Sequence, residues 1–294
     1  MDMIKIGLIG TKSMHAQLFA RVCNIADGEG KYQFPDTKVV AAYGVDDTPE
    51  HIRLTLEKGN IPSAVSSFEE LFEHCNAFMV LQRRGGEHLA YAAEIIKRGY
   101  PVFIDKPVCN TIEDVQALRV LAQEHNTVIC GGSGLKHNSQ IVALKRELEA
   151  QAFGHIKGAT IHHSADMDSP YDGIFFYLPH AVEMMLELFG YDPISVSTIV
   201  LSHNNFIVCV KYSQFTVNLA INRYPPAITV VGSEKSEVIQ INDADVFAQC
   251  MGNFISNIHQ NKVTNDTYQL TRHVQVILAI KESMEKNTDV TIGA

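Results

Sequence analysis

The chain has 294 residues, 46% hydrophobic and 19% charged, with a formal net charge of -9, a composition that suits a globular protein of two modest domains. The acidic balance argues against a nucleic-acid or anionic-membrane partner, either of which needs a basic patch, and no apolar run reaches the length of a membrane span. Its six cysteines are scattered without paired spacing and its opening residues read as a strand rather than a signal segment, so reduced thiols in a cytoplasmic protein are expected.

Ile4–Ile9 reads as a short strand and Gly10 as the turn after it. Thr11-Lys12-Ser13-Met14-His15 leads into a helix running to about Ala26, with Leu18, Phe19 and Val22 on one face. A strand, a glycine turn and a helix make the phosphate-binding start of a dinucleotide fold, where N–H groups at the helix N-terminus face the pyrophosphate. Of the G-x-G-x-x-G fingerprint only Gly10 is in place, and Lys12 and His15 stand at the other two positions. Lys12 can offset the loss by bringing positive charge to the phosphates. After the polar loop Asp27–Asp36 comes a second strand, Val39–Tyr43. Asp46 is the expected ribose acceptor beyond it, with Asp47 as its rival and a helix N-cap as the competing use of either. An acid there repels a 2′-phosphate, so NAD is expected rather than NADP.

Thr48-Pro49-Glu50 opens the next helix, Val65 marks a short edge strand, and Phe68–His74 is a helix capped by Ser66 or Ser67. Ala77–Leu81 is nearly all apolar, as a strand buried on both faces would be. Gln82 and Arg83 lie beyond its carboxyl end, on the cofactor edge, and His88 opens a helix that Gly99 stops. Val102–Ile104 is a strand cut off at Asp105-Lys106-Pro107, because proline donates no ladder hydrogen bond. Lys106 therefore stands at the carboxyl end of a strand, where open α/β sheets bind ligands and where partial desolvation suits a lysine to acid–base work. The competing reading is a surface lysine paired with Asp105. A helix over Ile112–His125 and a strand over Thr127–Cys130 follow. Strand and helix alternate throughout, which implies a doubly wound parallel sheet.

Gly131–Gly134 is a flexible linker, and it divides the chain into a dinucleotide-binding Rossmann domain at 1–132 and an α+β domain at 133–294. Lys136 and His137 follow it as candidates for the cleft. A helix over Ser139–Gln151, a long strand over His155–Ala165 and a loop over Ala165–Gly173 come next. His162 and His163 point to opposite faces of that strand. Pro179–Leu188 is a helix whose first-turn proline puts His180 at its entrance. Strands at Ser195–Ser202, Phe206–Tyr212, Phe215–Asn222, Ala227–Val231 and Glu237–Ile241 imply a largely antiparallel open sheet, closed by helices at Ala244–Gln260 and Tyr268–Lys286. One face of such a sheet needs cover, so a homodimer or homotetramer packed through it is expected. His180 and Glu183 share a helix face, but the thirteen histidines show no metal-type cluster, and no metal site is expected.

The order of these parts resembles the Gfo/Idh/MocA family of nicotinamide-dependent oxidoreductases. Carrying the resemblance are the Ile4–Gly10 strand and turn, His88 opening its helix, and Gly99-Tyr-Pro-Val-Phe-Ile-Asp-Lys-Pro107. The last is similar to the family's a-G-k-x-V-x-x-E-K-P segment, with Asp105 for glutamate. Downstream, Lys145–Gly154, Asp172-Gly173 through His180 to Phe189-Gly190, and Val231–Glu234 resemble the helix and glycine before the family's second sheet, its catalytic helix and its sheet turn. The resemblance implies that Lys106 touches substrate near the nicotinamide and that His180 is the helical catalytic histidine. The family's aspartate four residues earlier is Phe176 here, with Tyr177 adjacent as a possible proton donor and Asp172 a turn further back. Glu183 stands where the family commonly has aspartate.

The expected function is hydride transfer between NAD(H) and a hydroxyl or carbonyl carbon of a small polar substrate, a sugar or cyclitol. Lys106, His180 and Tyr177 would serve catalysis. The residues from Gly10 to His15, with Asp46, Gln82, Arg83, His88, Asp105 and Lys106, would hold the cofactor. The alternative is a dinucleotide-binding or ligand-sensing protein that kept the fold and lost the chemistry.

Overall fold

A computed structural model describes residues 3–293. The chain divides into two compact units: the first runs through Gly132 and takes in Phe247–Tyr268, and the second comprises Ser133–Val246 and the chain from Gln269.

In the first unit β1 (Ile4–Ile9), α1 (Met14–Asn24), β2 (Thr37–Tyr43), α2 (Pro49–Gly59), β3 (Ser63–Val65), α3 (Leu71–His74), β4 (Ala77–Val80), α4 (His88–Lys97), β5 (Val102–Asp105), α5 (Ile112–Glu124) and β6 (Ile129–Gly132) alternate. The strands form one parallel sheet in the order β3-β2-β1-β4-β5-β6. The order reverses between β1 and β4, and at such a switch point the carboxyl ends of the strands open a crevice. Every residue of β4 and β5 is buried, which is why their sequences are apolar runs rather than alternations. Local chemistry sets the helix starts. Ser13, Thr48 and Thr111 cap α1, α2 and α5 through their side-chain oxygens, and Pro49 fills the first turn of α2. Gly131 has φ +148, and a Cβ there would stand 1.8 Å from the Ile104 carbonyl oxygen, so β6 can lie beside β5 only with glycine at that point.

The second unit opens with α6 (Ser139–Glu149), β7 (Ile156–His163) and α7 (Leu178–Phe189). β8 (Ser195–Ser202), β9 (Asn205–Lys211), β10 (Thr216–Ile221), β11 (Ala227–Gly232) and β12 (Ser236–Gln240) follow; the chain then passes through α8 (Val246–His259), which belongs to the first unit, before α9 (Tyr268–Lys286) and β13 (Val290–Thr291). Its sheet runs β12-β11-β7-β10-β9-β8-β13 and is antiparallel except where β10 lies parallel to β7. Ala159, Ile161 and His163 form the buried face of β7. At its far end β8 leaves Ile199, Val200 and Leu201 exposed.

The expected domain at 133–294 is corrected at α8. Phe247–Tyr268 belongs to the first unit, where Cys250, Met251, Phe254 and Ile255 are buried in the same core as β1 and α1. The Phe254 ring centroid lies 6.0 Å from that of Phe103 on β5, and burying such a ring contributes about 1.5–3 kcal/mol. Beyond α8, Thr264 is tied to β6 and its approach: its N–H donates to the Thr127 carbonyl at 3.0 Å and its hydroxyl to the Ile129 carbonyl at 2.8 Å.

Candidate active site

The turn after β1 is built around Gly10. It has φ +93, and a Cβ on it would meet the Gln82 backbone nitrogen at 3.0 Å. Glycine thus lets the first turn pass close over the end of β4. The next residues are held by one carboxylate: Asp47 Oδ2 accepts from Thr11 N at 2.6 Å, Thr11 Oγ1 at 2.6 Å and Lys12 N at 3.0 Å. The expected ribose acceptor, Asp46, and its rival, Asp47, differ here. Asp46 has a left-handed backbone (φ 48), and it is the neighbouring Asp47 whose side chain meets the turn. Ser13 caps α1 with its hydroxyl, accepting from His15 N at 3.2 Å. Lys12 and Met14 are exposed and Thr11 and Ser13 are buried, so the side chains at the turn alternate between solvent and protein.

His15 points to β5. Its Nδ1 lies 2.7 Å from Asp105 Oδ2, and the rings of Phe19 and Phe247 pack on it with centroids 6.4 and 5.2 Å away. Burial works to raise the Asp105 carboxyl, but the charge and hydrogen bond of His15, then Lys106, outweigh it and the net shift is downward. Asp105 is therefore ionised, and a carboxylate only accepts, so His15 Nδ1 carries the donated proton. Lys106 is itself buried at 6% exposure, one residue past the end of β5.

The loop after β4 closes on the same segment. A Cβ on Gly85 would stand 2.4 Å from Pro107 Cγ. Gln82 is buried and its Oε1 has no hydrogen-bond partner among the described residues, an unfilled acceptor at the switch point. Arg83 is half-buried beside it. His88 corrects an expectation: it is fully buried, its Nε2 donates to the Gln82 carbonyl at 2.8 Å, and burial pushes its imidazole down towards the neutral form. It braces the loop. A glycine turn at the switch point, helix N-terminal N–H groups, an acid over the turn and an orphaned acceptor together fit a dinucleotide.

In the second unit His180 sits in the first turn of α7, preceded by Pro179. Its Nδ1 lies 2.6 Å from the Ser133 hydroxyl. Ser133 N donates to Glu183 Oε2 at 2.9 Å, and the same oxygen accepts from Lys136 Nζ at 2.8 Å. His273 on α9 stands with Nδ1 3.8 Å from Glu183 Oε1, and burial pushes it down. The His163 ring lies 5.6 Å from that of His180. Tyr177 is exposed, its ring 6.4 Å from His180. Phe176, at the family's aspartate position, is buried between Tyr171 and Tyr177 at centroid distances of 5.2 and 4.7 Å. Among the described residues no three His, Cys, Asp or Glu side chains gather as a metal site.

Sequence reasoning missed Ser133 as the partner of His180 and Glu183 as the anchor of Ser133 and Lys136. The i, i+3 spacing of His180 and Glu183 was a usable signal, since it puts both on one helix face.

Residues 4–133 match the oxidoreductase family with the NAD-binding Rossmann fold. No curated protein matches the sequence. Among solved structures, the fold is similar to scyllo-inositol dehydrogenase from Lactobacillus casei with bound NAD(H) and scyllo-inositol, at TM-score 0.82 and 16% identity over 100% of both chains. It is also similar to myo-inositol 2-dehydrogenase from Lactobacillus plantarum, at TM-score 0.82 and 13% identity over 99% of this chain and 100% of that one. A myo-inositol dehydrogenase from Corynebacterium glutamicum gives TM-score 0.79 and 16% identity over 99% of each chain. The match over residues 4–133 makes the first unit similar to the Gfo/Idh/MocA oxidoreductase family, and the solved structures extend that likeness of fold to the whole chain.

Proposed function

We propose that this protein is an NAD-dependent dehydrogenase that acts on a hydroxyl carbon of a small polyol, a cyclitol or a sugar. The observation that carries the reading is Lys106, a buried ammonium at the carboxyl end of β5 beside an ionised Asp105, in a domain whose family binds NAD. The similar folds of inositol dehydrogenases support the substrate class.

Bound NAD supplies the hydride acceptor, or in its reduced form the donor. The chain's own residues do the rest. N–H groups at the start of α1 receive the pyrophosphate, and Asp47 accepts from the adenosine ribose while repelling a 2′-phosphate. Lys106 donates to the substrate oxygen and stabilises charge on it. His180 exchanges the hydroxyl proton, and Tyr177 lies beside it as a further donor.

The test is titration with NADH and, separately, NADPH, followed by a polyol screen. NADH should bind more tightly, and Lys106→Ala should cut turnover about 10²–10⁴-fold with NADH affinity within about threefold. Full turnover by that variant refutes the assignment. A second reading, a ligand sensor without chemistry, is favoured by Phe176 at the family's aspartate position; it predicts nucleotide binding with no turnover of any polyol. The exposed Ile199, Val200 and Leu201 of β8 support a homo-oligomer packed through this sheet, and light scattering at a monomer mass would sink that part. None of the six cysteines forms a disulfide, which supports a reducing, cytoplasmic location.

A further inference from the structure

We propose that the Ser133 hydroxyl is the positioning partner of His180, holding its ring so that Nε2 is the nitrogen that exchanges a proton with substrate. The proposal rests on the assignment of His180 as acid–base group. In the expected pattern an aspartate one helical turn earlier would serve that histidine, and Phe176 occupies the position here. The structure supplies another partner from the far side of the sequence. Ser133 is fully buried, and its Oγ is 2.6 Å from His180 Nδ1. The hydroxyl has two acceptor lone pairs. One takes the Leu135 N–H at 3.3 Å, and in the proposed tautomer the other takes Nδ1–H.

Ser133 is itself fixed. Its N–H is held by Glu183 Oε2, which also takes Lys136 Nζ, so a buried ion pair anchors the residue that anchors the histidine. Glu183 lies one turn beyond His180 on α7, so both ends of the clamp grip the same helix. Other groups face the ring as well: His163, with centroids 5.6 Å apart, and Tyr177, at 6.4 Å.

The proton balance is simple. In oxidation the substrate hydroxyl proton passes to Nε2, its carbon gives the hydride to NAD, and Nδ1–H stays on Ser133 Oγ. The imidazolium then returns the Nε2 proton to water. Reduction runs the same steps backwards: the imidazolium gives its Nε2 proton to the substrate oxygen as the carbon takes the hydride, and Nδ1–H again stays on Ser133 Oγ.

The experiment is nitrogen-15 histidine NMR on the full-length protein at alkaline pH. The His180 signal, one of thirteen histidines, is assigned by its loss in His180→Gln. The parent should show a single tautomer protonated at Nδ1, and Ser133→Ala should move the signal towards Nε2–H. With a polyol substrate, Ser133→Ala should lower kcat about tenfold with KM within about threefold, and Ser133→Thr should recover most of it. A parent protonated at Nε2, or identical signals in parent and Ser133→Ala, overturns the proposal. Absence of any polyol turnover by the parent overturns the dehydrogenase reading instead, and the NMR signals still decide the tautomer.

Discussion

Two histidines at the heads of two helices are held in opposite ways. His15, at the start of α1, gives its Nδ1 proton to a carboxylate, Asp105, at 2.7 Å. His180, at the start of α7, meets a hydroxyl, Ser133, at 2.6 Å. A carboxylate accepts only, so it fixes one tautomer. A hydroxyl accepts or donates and carries no charge. The first arrangement suits a group that stays in one state and shapes a turn. The second suits a group that must gain and lose a proton in each cycle.

The comparison breaks most sharply if both histidines are removed in turn. His180→Gln should lower kcat about 10²–10⁴-fold and leave NADH affinity within about threefold. His15→Gln should instead weaken NADH binding while kcat at saturation stays within about threefold. Steady-state kinetics beside a nucleotide titration reads both, and a kcat loss in His15→Gln would erase the distinction.

A third histidine sharpens it. Burial, reinforced by the Lys136 ammonium, pushes His137 down to about 4. Above pH 6.5 the ring is neutral folded and unfolded. Between pH 6.5 and 4 only the unfolded chain takes the proton, so this contribution to stability is lost as pH falls. Denaturant titrations at pH 7 and 4.5 should show the parent losing about 2 kcal/mol more than His137→Gln.

Asp105 has the complementary sign in a lower window. Its carboxyl is held below its ordinary value of 3.8, so its contribution is present above that value and lost as pH falls through the folded one. Asp105→Asn should cost about 1.5–3 kcal/mol at pH 7, and the difference from the parent should fade below about pH 4. Asp47→Ala is the mildest change. It should weaken NADH about tenfold, or about 1.4 kcal/mol, and narrow the preference over NADPH.

The fold was largely legible because its signals are local. Apolar runs ended by glycine or proline mark β1, β4 and β5, and alternation with helices implies a parallel sheet. Lys106 was legible for the same reason: Pro107 ends the strand and fixes where the lysine stands. Pro179 did as much for His180. What stayed hidden depends on distance or on a single torsion. Asp46 and Asp47 are indistinguishable until the left-handed backbone at Asp46 (φ 48) decides which carboxylate meets the turn. Ser133 and His180 lie 47 residues apart, and no periodicity pairs them. The periodicity of α8 defines an apolar face but not which core receives it.

That last point bears on how the chain is made. Residues through Gly132 leave the ribosome long before Cys250, Met251, Phe254 and Ile255, which complete their core. The first unit to be synthesised is therefore among the last to be finished. While it waits, part of its apolar surface has nothing to cover it, and the nascent chain passes through a stage exposed to aggregation.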